Sequence, residues 1–234
     1  MFLRNVHSFR LLSLHHMRHR LLGLCLLLTI SLPLDAAHGF ADVSEEHWFA
    51  PYVEELSSHG IVAGNPDGTF TPNASLTRAE LAKIAVLLGE VSGSVTGQEE
   101  ILSNSFLDVD ATSWYAPHVQ KAQAAGLMRG YTNAEGIATG LFKPEQAVTR
   151  AEAVKVLVAA TGVGAESHES PTFTDVPKDA WFAGAITTAN TLHIVDGYRN
   201  TKGKLTGAFG PHDTVTRAQI AKMATIALDP PAYQ

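Results

Sequence analysis

Leu76-Thr77-Arg78-Ala79-Glu80, Val148-Thr149-Arg150-Ala151-Glu152 and Val215-Thr216-Arg217-Ala218-Gln219 are one five-residue phrase written three times in a chain of 234 residues. Each places Thr-x-x-Glu/Gln after an apolar residue, the signature of a capping box that closes the first turn of a helix. A helix is therefore expected to start immediately after Thr77, Thr149 and Thr216, capped by Glu80, Glu152 and Gln219. Leu81, Ala153 and Ile220 fall at the staple position, and Ile84/Leu88, Val156/Leu157 and Met223/Ala227 continue an apolar face.

Working outward from the box, the same landmarks return at fixed distances. Phe-x-Pro precedes it (Phe70/Pro72, Phe142/Pro144, Phe209/Pro211), a glycine stands further back (Gly64, Gly130, Gly197), then a tryptophan (Trp48, Trp114, Trp181), then Phe-x-Asp-Val opening at Phe40, Phe106 and Phe173. So many constant spacings define a tandem repeat, which takes precedence over a domain count from length. A first helix is expected around each Trp, with Val53/Leu56, Val119/Ala122 and Ile186/Ala189 on one stripe facing a core. On that stripe the tryptophans read as core residues, with a ring face able to stack on a sugar if exposed. Pro51 and Pro117 suit the first turn, and Gly60 and Gly126 suit left-handed C-terminal caps. Repeat three has His193 at that position, a residue tolerated at positive φ with some strain.

The N-terminal stretch is of another kind. Met1 to Arg20 holds four arginines and no acid, and Leu21–Leu34 is an apolar run broken by Pro33 and followed by Ala36, Ala37 and Gly39. This is the layout of a secretory leader, too short for a spanning helix, with cleavage expected between Ala36 and Phe40. Cys25 lies inside it, so the exported product is expected to hold no disulfide and to be stabilised by burial alone. Full-length net charge is −6, and losing the leader makes the remainder more acidic. With no basic excess to neutralise phosphates, nucleic acid is excluded as a partner.

Phe-x-Asp-Val, Trp, Gly, Phe-x-Pro and Thr-Arg-Ala-Glu/Gln, three times in succession, resemble the S-layer homology (SLH) family. Gly64-Asn65-Pro66-Asp67-Gly68-Thr69-Phe70-Thr71-Pro72 is close to the family's most recognisable loop. The resemblance implies a mainly α fold, three tandem SLH repeats forming a three-pronged pseudo-trimer, divided as signal peptide 1–39 and repeats 40–104, 105–171 and 172–234. It implies a non-catalytic envelope anchor that binds a secondary cell-wall polysaccharide, often bearing acidic pyruvylated sugars, or a peptidoglycan-linked polymer, in grooves between repeats. Arg78, Arg150 and Arg217, Trp48, Trp114 and Trp181, and Gly64, Gly130 and Gly197 are the polysaccharide-binding candidates. A structural surface-layer or scaffold protein with non-covalent protein partners is the alternative.

Thr and Glu/Gln of each box are accounted for by capping, but the arginine is not. At the first helical position the macrodipole disfavours a cation by about 0.3–1 kcal/mol. Beside unpaired helix N–H groups, a guanidinium fork would hold a carboxylate or phosphate. Equally, it could pair with Asp42, Asp108 or Asp175, aspartates otherwise read as local caps; the resemblance favours the ligand. Gln219 loses the negative charge of its counterparts and Asp196 precedes the glycine of repeat three, so that groove is expected to be weaker and Arg217 to matter less. Arg199, Lys202 and Lys204, in the longer loop of repeat three, either widen an anionic site or are simply solvated. No nucleophile elbow, phosphate loop or His-Glu-x-x-His motif is present, and the Asn65–Gly68 turn lacks EF-hand spacing, so neither catalysis, a metal nor another cofactor is expected. The chain ends soon after Ala227, and a cargo domain is not expected.

Overall fold

Each repeat contributes one short and one longer helix: α1 Ala50–Ser58 and α2 Arg78–Ser92, α3 Ala116–Ala124 and α4 Arg150–Ala160, α5 Ala183–Thr191 and α6 Arg217–Leu228. The structure, a computed structural model, describes residues 39–96, 106–164 and 173–229. The leader, its cleavage region up to residue 38, Cys25 and parts of the two inter-repeat joints lie outside the described residues. The fold is mainly α, without a sheet among the described residues; its only bridges are isolated β-pairs.

Capping decides where the longer helices start. Thr77, Thr149 and Thr216 are extended, accept from the third helical N–H through the side chain, and donate their own backbone N–H to the side chains of Glu80, Glu152 and Gln219. The shorter helices end as the glycines require: Gly60 (φ 68°), Gly126 (φ 71°) and His193 (φ 57°) are left-handed, and the next amide reaches back to Leu56, Ala122 and Ala189. All six stripe residues, Val53, Leu56, Val119, Ala122, Ile186 and Ala189, are at most 1% exposed.

The two helices of one repeat do not pack on each other. α3 packs on α2, α5 on α4, and α1 closes the circle on α6, while α2, α4 and α6 meet centrally. Each repeat thus lends its first helix to the preceding repeat, giving a cyclic pseudo-threefold arrangement.

The residues just before the caps bind the centre. Val148 N–H donates to Leu76 O (2.9 Å), Val215 to Val148 O (3.0 Å) and Leu76 to Val215 O (2.9 Å), a closed ring of three backbone bonds among buried side chains. The first two amides of each longer helix also cross to a neighbour. Arg78 and Ala79 donate to Gln146 and Pro144, Arg150 and Ala151 to Asp213 and Pro211, and Arg217 and Ala218 to Ala74 and Pro72. The helix N–H groups are therefore spent on the adjoining Phe-x-Pro loop, which corrects the expectation that they stand unpaired beside the arginines.

The Phe-x-Asp-Val aspartates are not local caps. Asp42 accepts from Phe70 and Thr71 N–H (both 2.7 Å), Asp108 from Phe142 (2.8 Å) and Lys143 (2.7 Å), and Asp175 from Phe209 and Gly210 (both 2.8 Å). Each carboxylate staples the start of its repeat to the Phe-x-Pro loop, holding Thr71 (φ 53°) and Lys143 (φ 58°) in a left-handed conformation that β-branched or long side chains disfavour. A Cβ on Gly64, Gly130 or Gly197 would lie 2.4, 2.5 or 2.6 Å from the ring of Phe40, Phe106 or Phe173, so close ring approach demands glycine there.

Candidate polysaccharide-binding grooves

Trp48, Trp114 and Trp181 are 56%, 57% and 59% exposed, overturning the core reading. The helices begin two residues after each Trp, so the tryptophan stands in the preceding turn and the next residue turns inward. Phe49 and Phe182 are buried, with the indole edge-on to them at 5.4 and 5.1 Å; Trp114 meets half-buried Tyr115 in the same way.

Cyclic packing delivers each Trp to a groove assembled from all three repeats. In the first, Arg78 of repeat one faces Leu127–Arg129, Glu152 and Lys155 of repeat two and Trp181 of repeat three, around about 340 Å³. The second joins Arg150 to Val195–Arg199, Gln219 and Lys222 of repeat three and Trp48 of repeat one, around about 210 Å³. The third joins Arg217 to Ala63–Asn65, Glu80 and Lys83 of repeat one and Trp114 of repeat two, around about 350 Å³. Gly64 and Gly197 line their grooves; in repeat two the loop contributes Gly126 to Arg129, and Gly130 is not among the lining residues.

No arginine pairs with a Phe-x-Asp-Val aspartate; each donates from Nε to the carbonyl of the phenylalanine in the adjoining Phe-x-Pro. Arg78 reaches Phe142 O (2.8 Å), Arg150 Phe209 O (3.0 Å) and Arg217 Phe70 O (2.8 Å). The guanidinium also lies over that ring, at 4.7, 4.7 and 4.5 Å, and in the first two grooves over Tyr131 (4.6 Å) or Tyr198 (4.7 Å) as well. Backbone carbonyls and π faces can carry a buried guanidinium without neutralising it.

Beyond Nε the three differ. Arg78 adds one bond to Arg129 O (2.9 Å). Arg217 adds Ala63 O (2.9 Å) and an ion pair with Glu80, the only salt bridge any of the three makes among the described residues. Arg150 adds none among the described residues. Gln219 therefore shares a groove with Arg150, not Arg217: the Glu or Gln of one box faces the arginine of the preceding box around the circle. That corrects the reading that tied Gln219 to Arg217.

Lys83, Lys155 and Lys222 were missed from sequence, although each follows its arginine at the same spacing. Each stands one helical turn after Glu80, Glu152 or Gln219 and shares that residue's groove, not that of its own repeat's arginine, and Lys155 Nζ lies 4.7 Å over the Trp181 ring. Desolvation, and next the nearby Arg217, lower the Lys83 ammonium pKa. Each groove thus presents an arginine, a lysine and an exposed indole, with cations outnumbering acids on a chain whose net charge is −6. Such a surface can hold a carboxylate by charge-assisted bonds while a flat apolar face supports the attached ring. Among the described residues no cluster of His, Cys, Asp and Glu is arranged for a metal.

The chain is similar to cell surface glycoprotein 1 of Acetivibrio thermocellus, 29% identical over 158 residues, 64% of this chain and 6% of that protein. The cellulosome-anchoring protein of the same organism is 28% identical over 142 residues, 61% of this chain and 30% of the relative. The middle cell wall protein of Brevibacillus brevis is 29% identical over 177 residues, 75% of this chain and 14% of the relative. The chain spans less than a third of the length of each. The S-layer homology domain matches three times, at residues 39–82, 105–154 and 172–221, together more than half the chain. With its three capped repeats, cyclic packing and these matches, the chain belongs to the S-layer homology domain family.

Proposed function

We propose that this protein is a non-catalytic anchor of the cell envelope whose grooves bind an acidic polysaccharide of the cell wall, pyruvylated or otherwise carboxylated. The observation that carries this is the threefold recurrence of a half-open cationic groove, one arginine, one lysine and one exposed tryptophan, on an otherwise acidic chain. Helix energetics give no reason for an arginine at the first helical position, and burying its head against carbonyls and aromatic rings leaves it without an ion pair in two of the three grooves. Relatives named as cellulosome-anchoring, cell-wall and S-layer proteins support a place at the exported face of the cell, as does the secretory layout of residues 1–39.

Co-sedimentation with purified walls tests the reading. Binding is expected to native walls and to fall by an order of magnitude or more on walls stripped of their acidic substituents. Equal binding to both preparations would overturn the acidic-ligand reading, and capture only by surface proteins would favour the scaffold alternative.

A further inference from the structure

We infer that the three grooves are graded, that the Arg150 groove is the principal seat for the acidic group of a sugar, and that residue 219 sets this rank. The inference rests on the anchoring reading and specifies which site does the holding.

The grading follows from how far each guanidinium is satisfied within the chain. Arg217 uses Nε on Phe70 O and its terminal nitrogens on Ala63 O and the Glu80 carboxylate. A sugar carboxylate entering that groove must displace or share an acid already in place. Arg78 keeps one terminal nitrogen uncommitted, and Arg150 keeps both. Yet Arg150 is only 5% exposed, while Arg217 has a more open side chain, so the least satisfied cation is also among the more desolvated. Neither terminal nitrogen of Arg150 is among the sealed, unpartnered polar atoms, and its side chain lines the groove. Burial also lowers its pKa from the usual guanidinium value.

Among the described residues no neighbouring acid is ion-paired with Arg150, although Asp213 and Asp175 act on it through space. Asp175 is spent on the Phe209 and Gly210 amides, Asp213 accepts the Tyr198 hydroxyl (2.9 Å), and Asp196 faces Arg199 at 3.8 Å. Where the Arg217 groove has Glu80, this one has Gln219, an amide without charge. A buried cation whose terminal nitrogens hold no carboxylate gains most from an incoming anion. Lys222 and Arg199 add charge around it and Trp48 supplies the ring face.

Residues 80 and 219 can be exchanged without losing the cap. Gln219 accepts the Thr216 amide through Oε1 (3.2 Å) just as Glu80 accepts that of Thr77 (2.8 Å). Calorimetric titration with a methyl glucoside carrying a cyclic pyruvate ketal, against the plain methyl glucoside, reads the grading, with melting curves showing that each variant is folded. Gln219→Glu is expected to weaken ketal binding about tenfold by giving Arg150 an internal acid. Adding Glu80→Gln to that variant should restore binding, now sensitive to Arg217→Ala and indifferent to Arg150→Ala. If the parent binds the ketal but Gln219→Glu binds as well, or if the three Arg→Ala variants lose affinity equally, the grading falls and anchoring stands. If the parent binds neither the ketal nor acidic wall polymer, the anchoring reading falls and takes the grading with it.

Discussion

The inner ring and the outer grooves are built from the same repeat, yet one is threefold and the other is not. In the ring every bond recurs: three backbone bonds among Leu76, Val148 and Val215, three capping boxes, and three aspartates each holding two amides. In the grooves the arginines make three, two and one kinds of contact beyond stacking, and residues 80, 152 and 219 differ in charge. Backbone bonds constrain geometry and tolerate little drift, whereas a groove side chain can change charge without unfolding the scaffold.

The largest effect expected is on the ring side. Phe142 is fully buried, lies tilted against Phe106 at 5.3 Å and carries the ring under Arg78, so Phe142→Ala should destabilise the protein by about 3–5 kcal/mol in urea unfolding. A loss below about 1 kcal/mol would mean the repeats are not packed as one core. Thr149→Ala removes one capping oxygen and should cost about 0.5–2 kcal/mol while leaving wall binding intact where the protein is folded. Trp48→Ala should do the reverse, weakening wall binding several-fold with little change in melting, because its ring is more than half exposed. A large fall in melting temperature with unchanged binding would return Trp48 to the scaffold.

The smallest effect concerns His118, on the α3 face toward α2, where Tyr52 and Ala185 stand in the other repeats. Desolvation, with Lys83 next, lowers its pKa, so the unfolded chain binds a proton before the folded one does. Stability from this group is present above its unfolded pKa of about 6.5 and is lost as pH falls below that. His118→Gln should flatten the decline in melting temperature between about pH 7 and pH 5, and an unchanged slope would remove His118 as its source.

What was legible in the sequence is what short-range bonds decide. Thr-x-x-Glu/Gln fixes a helix start within four residues, and Gly60, Gly126 and even His193 mark helix ends by a local left-handed turn. The grooves were less legible because each draws on three repeats: Arg150, Lys222 and Trp48 meet only after the chain has closed its circle. The tryptophans are exposed, against the core expectation, because the helix starts two residues later than the stripe implies, which turns Phe49 inward instead. Gln219 serves Arg150 and not Arg217 for a related reason: a motif contiguous in sequence does not share one groove, because its two ends serve neighbouring ones. The lysines were readable from spacing alone.

The most direct test of the central claim is a titration of acidic wall polymer into the parent and the Arg150→Ala protein, at a temperature where melting curves show both folded. Losing a charge-assisted bond of about 1.5–3 kcal/mol should weaken binding by an order of magnitude or more, and Arg150→Lys should fall between because a point charge cannot reproduce the fork. Equal affinity of all three proteins would show that Arg150 serves only its Phe209 carbonyl and that the glycan is held elsewhere.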